Sequence, residues 1–236
     1  MDATWPAANY ETVEHWTLRD GQGGGKRVSA TTGSNAGNIA IAEEEMSALD
    51  QPHLFMIKDG DSELDQVLAG RGYAVVDPVT LYCGPVKPLA NHPVPRLAGF
   101  ALWPRLAIMD EIWAQGGIGP SRLAVMDRVT TPKTAILARA NSRAAGTAFV
   151  AIHRGIAMIH AIEVLPNQRR QGVAINMMRV AAGWAQDQGA HYISLMVTDA
   201  NAPATALYRK LGLSVVGHYH YRMRQNQNTT EAKRDH

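Results

Sequence analysis

With 236 residues, 46% of them hydrophobic and 19% charged, the chain can bury a substantial core and carries too few charges for wholesale disorder. Its 23 Lys and Arg against 21 Asp and Glu leave a formal charge of +2, which excludes the strongly basic balance expected of a nucleic-acid binder. The one cysteine, Cys83, excludes an internal disulfide framework and a cysteine-rich zinc site.

In chain order, apolar periodicity predicts a helix over 4–15, strands over 16–19 and 26–31, and a helix over 39–49. A strand over 53–57, a helix over 62–70 and a strand over 73–82 follow. Gly21-Gln22-Gly23-Gly24-Gly25-Lys26 has the glycine density of a phosphate loop but lacks its spacing and trailing Ser/Thr, so it reads as a flexible hairpin loop. Residues 83–95 hold four prolines and read as a stiff extended linker. Beyond it come helices over 105–114 and 121–128, then strands over 134–140, 146–153 and 156–164, the last two joined by a tight turn at Arg154-Gly155. A helix over 172–188, a strand over 192–198, a helix over 203–210 and a strand over 214–223 complete the pattern, and 225–236 is a polar tail. These elements divide the chain into 1–83, a linker at 84–96, a larger domain at 97–224, and the tail. The start of the chain has no basic-then-apolar leader, and no apolar run reaches about 20 residues, so the expected setting is soluble and cytoplasmic, with no membrane partner.

Chemistry concentrates at Arg169-Arg170-Gln171-Gly172-Val173-Ala174, between the strand over 156–164 and the helix that follows. Val173, Met177, Val180, Ala181 and Trp184 make one helical face, so this loop presents free helix N–H groups and the positive end of the helix dipole. Gly172 permits close backbone approach, Ala174 keeps the first turn open, and two guanidinium groups suit phosphate oxygens. The expected guest is a diphosphate. A second signal is a repeat at an offset of 140 residues: the helix over 62–70 with Gly72 and Val75-Val76 parallels the helix over 203–210 with Gly212 and Val215-Val216. The first copy has Leu68 where the second has Tyr208, and Thr32–Gly37 where the second has the arginine loop.

Val164-x-Pro166, Arg169-x-x-Gly172-x-Ala174 and Asn201-x-x-Ala204-x-x-Leu207-Tyr208-x-x-x-Gly212, in this order after a hairpin, resemble the GNAT N-acetyltransferase superfamily. The resemblance covers about 134–224, and the first half weakly resembles a degenerate GNAT domain. It implies an α/β (α+β) fold, a mixed and mostly antiparallel splayed sheet flanked by helices, that binds acetyl-CoA. It further implies acetyl transfer to a primary amine, on a small molecule or a peptide, by direct attack in a ternary complex without a metal. Arg169, Arg170, Gln171, Gly172, Val173 and Ala174 would hold the pyrophosphate, the backbone of Ile162 and Val164 would meet pantetheine, and Asn201 and Ala204 open the helix that carries Tyr208. The resemblance assigns Tyr208 the role of general acid toward the departing thiolate.

The general base has two candidates. Alternation along 156–164 puts Met158, His160 and Ile162 on one face and Ile159, Ala161 and Glu163 on the other. His160 titrates near neutrality and is polar within an apolar run, though a core histidine fits the same pattern. Glu163 would serve if a bulge turned it toward the cleft. His218 and His220 share a strand face but lack a third ligand at fitting spacing, so no metal is expected. Two other classes fit the sequence: a CoA-binding sensor without turnover, and an interaction protein. The acceptor's identity and the oligomeric state, a homodimer included, are left open.

Overall fold

The computed structural model describes residues 1–224; the predicted tail lies outside the described residues. The chain opens with strands β1 (Asn9–Val13) and β2 (Trp16–Asp20), then helix α1 (Lys26–Ser29), the short strand β3 (Thr32–Gly33) and helix α2 (Ile39–Ala48). Strand β4 (Leu54–Lys58), helix α3 (Ser62–Gly70), strand β5 (Tyr73–Pro85), helix α4 (Val86–Ala90) and strand β6 (Gly99–Leu102) follow. Helices α5 (Ala107–Gln115) and α6 (Pro120–Arg128) precede the strands β7 (Lys133–Ala140), β8 (Arg143–His153) and β9 (Ile156–Val164). Helix α7 (Val173–Asp187), strand β10 (Tyr192–Thr198), helix α8 (Ala202–Lys210) and strand β11 (Ser214–Arg224) end the described chain. No helix among the described residues is long and apolar enough to cross a membrane.

One eight-stranded sheet, in the order β4-β11-β5-β10-β9-β8-β7-β6, organises the molecule, and β1-β2-β3 form a second, smaller one. All pairs within the large sheet are antiparallel except β9 with β10. Val173, Met177, Met178, Ala181, Ala182 and Ala185 of α7 are buried on one face, in a core that also takes Leu89 of α4 and Tyr208 of α8. The opposite face carries Met109, Ile112 and Trp113 of α5, Val125 and Met126 of α6, and Trp5. A third cluster, with Trp16, Phe55, Leu64 and Leu68, joins the small sheet to β4, α2 and α3. Fully burying an aliphatic side chain of this kind contributes about 1.5–3 kcal/mol, so each cluster far outweighs the marginal propensities of its short helices.

Four segments depart from the sequence expectations. Residues 4–15 form a turn and then β1 rather than a helix; Asn9 to Val13 pair with β2 and leave most of their side chains in solvent, a pattern with no apolar period to read. The strand expected over 26–31 is α1, followed by a single bridge from Thr31 to Phe55. Strand β6 was hidden by its four-residue length among loop residues. The extended linker expected from Cys83 onward is strand as far as Pro85 and then helix α4, whose Val86 and Leu89 are buried against the α7 core. Pro88 is tolerated there because a helix this short asks almost nothing of its N–H.

Strand β5 from the first half therefore lies between β10 and β11, in the middle of the second half's strands. Its register with β11 pairs Ser214 with Cys83 and Met223 with Ala74. The 140-residue offset maps Ala74 to Ser214 and Cys83 to Met223, so each of these pairs is the image of the other. β4-α3-β5 and β10-α8-β11 thus interlock about a local two-fold between β5 and β11.

Gly146 of β8 lies where α7 packs closely on the sheet. A Cβ there would lie 2.6 Å from the Glu163 carbonyl oxygen and 3.3 Å from side-chain carbons of Val173 and Met177. Gly146→Val should destabilise the fold by about 1–3 kcal/mol through overpacking, measured by urea unfolding. An unchanged midpoint would contradict this packing of α7 on β8 and β9.

Candidate active site

The site begins where β9 and β10 part. They pair in parallel only from Tyr192–Ile156 to Leu195–Ile159, so the last residues of both strands diverge and leave an open V. The cause lies in β9: Ala161 has φ 51°, and the pairing with β8 shifts register between Thr147–Glu163 and Phe149–His160. This bulge breaks strict alternation. His160 packs on Trp5 and Phe149, and Ala161 joins the same α5 side of the sheet. Ile162 and Val164 lie on the α7 side. Glu163 consequently points to the same side as Ala161, against the end of α5, where a Cβ on Gly116 would come within 2.4 Å of its carboxylate. The expected common face for His160 and Ile162 is thereby corrected. Trp113 clamps the bulge by donating its indole N–H to the Ala161 carbonyl at 2.7 Å.

Beyond the V stands the arginine loop. Arg170 (φ 65°) and Gly172 (φ 77°) are both left-handed, and the turn they make delivers the chain into α7 with Gly172 as N-cap. No side chain caps this helix and its first turn has no acidic residue, so the N–H groups of Val173 and Ala174 face outward unpaired. A Cβ on Gly172 would meet nothing within 4 Å, so the approach is open. Asn141 braces the loop through Gln168 (3.3 Å) and Gln171 (2.7 Å). Arg169 folds back on the strand end, its Nε donating to the Val164 carbonyl at 3.1 Å and its guanidinium 3.6 Å from Glu163. Arg170 makes no ion pair among the described residues and is exposed. An open helix N-terminus flanked by guanidinium groups, beside an unpaired strand edge, fits a ligand with a diphosphate and an extended amide arm.

The structure places Tyr208 and Asn201 on α8. The Asn201 side chain accepts from the Ala204 N–H at 3.2 Å, capping the helix, while its amide N–H groups have no partner among the described residues. Tyr208 is buried, its ring 5.9 Å from that of Tyr82, and burial pushes its phenol up to about 12. It therefore holds its proton across the neutral range, as a proton donor must.

His160 is placed differently. It is buried, with Nε2 3.1 Å from Thr4 Oγ1 and Nδ1 3.0 Å from an Arg27 N–H. Because an arginine can only donate, Nδ1 accepts and Nε2 carries the proton. Burial, then the charge of Arg27, holds its pKa well below the usual 6.5. Folding thus keeps a neutral imidazole that the unfolded chain would protonate, a stabilising effect present above about pH 6.5 and lost as pH falls. Urea midpoints should therefore decline between pH 7 and 5, and decline less in His160→Gln. Equal slopes in the two proteins would contradict a neutral buried ring.

Sequence reasoning missed a cavity of about 210 Å³ on the α5 side of the V. Its wall takes Ala161 at the bulge, Thr198 at the end of β10, Tyr219 and Tyr221 of β11, and Arg122 of α6, together with Gly24 to Arg27 and Asp77 from the first half. The glycine-rich segment expected to be a flexible loop is thus part of a wall. Its glycine density was the one visible signal; the other walls come from residues scattered along the chain.

Residues 106–213 match the family model for the acetyltransferase (GNAT) family. The whole chain is similar to an uncharacterized N-acetyltransferase, YobR, of Bacillus subtilis, at 26% identity over 94% of this chain and 95% of the relative. A shorter stretch of 59 residues is 42% identical to streptothricin acetyltransferase of Streptomyces lavendulae, covering 25% of this chain and 31% of that one. In fold it resembles a GCN5-related N-acetyltransferase from Kribbella flavida, with a TM-score of 0.66, 18% identity, and 94% and 91% of the two chains covered. A functionally unknown conserved protein from Staphylococcus epidermidis gives a TM-score of 0.70 at 12% identity, with 92% and 94% covered. The site and these likenesses define an acyl-CoA-dependent acyltransferase. Residues 106–213, just under half of the chain, carry the likeness to the acetyltransferase (GNAT) family, whose members use acetyl-CoA or CoA.

Proposed function

We propose that this protein transfers the acetyl group of acetyl-CoA to a primary amine by direct attack within a ternary complex. The observation that carries the reading is the V between β9 and β10, closed at its outer end by the uncapped N-terminus of α7. Acetyl-CoA supplies an activated thioester carbonyl. Backbone N–H groups of Val173 and Ala174, with Arg170, bind its pyrophosphate, and the free edge of β9 at Ile162 and Val164 meets the pantetheine amides. Unpaired strand N–H groups near Val164 stabilise negative charge on the carbonyl oxygen. The acceptor ammonium loses one proton to Glu163, directly or through water, and the glutamate passes it to solvent. The amine nitrogen forms the new C–N bond as the C–S bond breaks, and Tyr208 protonates the departing sulfur. The second nitrogen proton, released as the amide forms, returns through water to the Tyr208 phenolate. The shared side of Glu163 and Ala161 supports Glu163 as the base. The engaged ring nitrogens of His160 support a positioning role for it, holding Thr4, Trp5 and Arg27 against the bulge.

The local two-fold of β4-α3-β5 and β10-α8-β11 supports the first half as a degenerate GNAT-like unit that has kept its strand and lost the loop and the tyrosine. Initial-velocity measurements test the mechanism. Intersecting lines when acetyl-CoA and amine are both varied, with no acetylated protein formed on acetyl-CoA alone, are expected; parallel lines with a covalent acetyl-protein would overturn direct attack.

A further inference from the structure

The charge of the cavity wall selects among amines. Lys26, Arg27 and Arg122 line it against a single carboxylate, Asp77. Lys26 is paired with Asp77 at 3.0 Å, so that charge is already balanced. Neither Arg27 nor Arg122 has a carboxylate partner among the described residues. Arg27 is held in place from below: it donates to His160 Nδ1 at 3.0 Å and lies 5.9 Å from the centre of the Trp5 ring. Its Nε is buried without a partner, which leaves an N–H in need of an acceptor. Arg122 is exposed, and its guanidinium stands beside the glycine-rich segment, 3.2 Å from where a Cβ on Gly25 would lie. Two guanidinium groups without carboxylate partners among the described residues, one of them anchored, beside an aromatic wall of Trp5, Tyr219 and Tyr221 make an anion site, and they would repel a polycation.

We infer that the acceptor is a small amine that itself carries an anionic group, a carboxylate or a phosphate, held by Arg27 and Arg122 while its amine faces the bulge at Ala161. This rests on the transfer reading above and narrows its acceptor. At about 210 Å³ the cavity lies below the ~300–1,000 Å³ of drug-sized sites, which suits a compact metabolite of amino-acid size. The three cations come from both halves of the chain, so the first half supplies acceptor specificity through α1 and the loop before it.

The test uses the full chain with acetyl-CoA and paired acceptors, reading thiol release. L-Alanine and L-phenylalanine are compared with their carboxamides, O-phosphoethanolamine with ethanolamine, and spermidine stands as the polycation. The acid of at least one pair is expected to exceed its neutral partner by at least tenfold in kcat/KM, and the preferred pair tells carboxylate from phosphate. Arg122→Gln should raise KM for that acid at least tenfold and leave its neutral partner unaffected. Calorimetry of the same acids into CoA-saturated protein separates the two readings. If no amine is acetylated but an acid binds and Arg122→Gln abolishes the binding, the transfer reading falls and the anion site stands. If neutral amines or spermidine are used as well as the acids and Arg122→Gln is silent, the anion-selected acceptor is overturned and transfer stands. If nothing is acetylated and no acid binds, both are overturned.

Discussion

Gly172→Glu should weaken acetyl-CoA binding by about 100-fold or more, measured by calorimetric titration. Two effects weaken binding, and backbone strain on the fold accompanies them. The residue stands at φ 77°, where a side chain costs about 1–2 kcal/mol. A carboxylate at a helix N-terminus occupies the place of the pyrophosphate and neutralises a dipole end that contributes about 0.3–1 kcal/mol to an anion. Its charge then opposes the diphosphate directly. Strain at φ 77° falls on free and bound protein alike, so the ~2.7 kcal/mol of a hundredfold change in affinity is expected from the blocked pyrophosphate site and the like charge. Since a Cβ at this position meets nothing within 4 Å, the fold itself should survive. Gly172→Ala carries the same backbone strain without the charge, so the difference between the variants isolates the electrostatic part. Equal affinities for the two would place the diphosphate elsewhere.

Glu163→Gln should lower kcat by about 10²–10⁴-fold at neutral pH and leave the acetyl-CoA Kd within twofold of wild type. The glutamine keeps the shape that rests on Gly116 but cannot take a proton from the acceptor ammonium, whose pKa for an alkylamine is about 10.4. Because the amine must be deprotonated before attack, the variant's rate should recover as pH rises toward that value, and wild type should show a weaker dependence. Glu163 also faces Arg169 at 3.6 Å, so Arg169→Ala measures the loss of that pair together with the Arg169–Val164 hydrogen bond. An unchanged kcat in Glu163→Gln would remove the glutamate from the mechanism.

Most of the second half was legible because its strands and helices are buried on one side and show that in their periods. The strands over 156–164 and 192–198 and the hairpin turn at Arg154-Gly155 are present as read. The loop before α7 was legible too, since Gly172 and the apolar face beginning at Val173 are local features. The bulge was not. Ala161 adopts its positive φ without the glycine that would have announced it, and the resulting change of face brings Glu163 to the α5 side, where His160 also packs. Nor could the period of residues 73–82 say that β5 would be inserted between β10 and β11, because a strand's neighbours in a sheet are set by tertiary packing. That insertion also makes an isolated second half an unsuitable test protein, since removing 1–85 would leave β10 and β11 without the strand between them.

The central claim, that the V and the α7 N-terminus form an acetyl-CoA site, is tested most directly by calorimetric titration of the full chain with acetyl-CoA. Saturable binding of one acetyl-CoA per chain, lost on Gly172→Glu, is the predicted result. Absence of binding by a folded wild-type protein would contradict it.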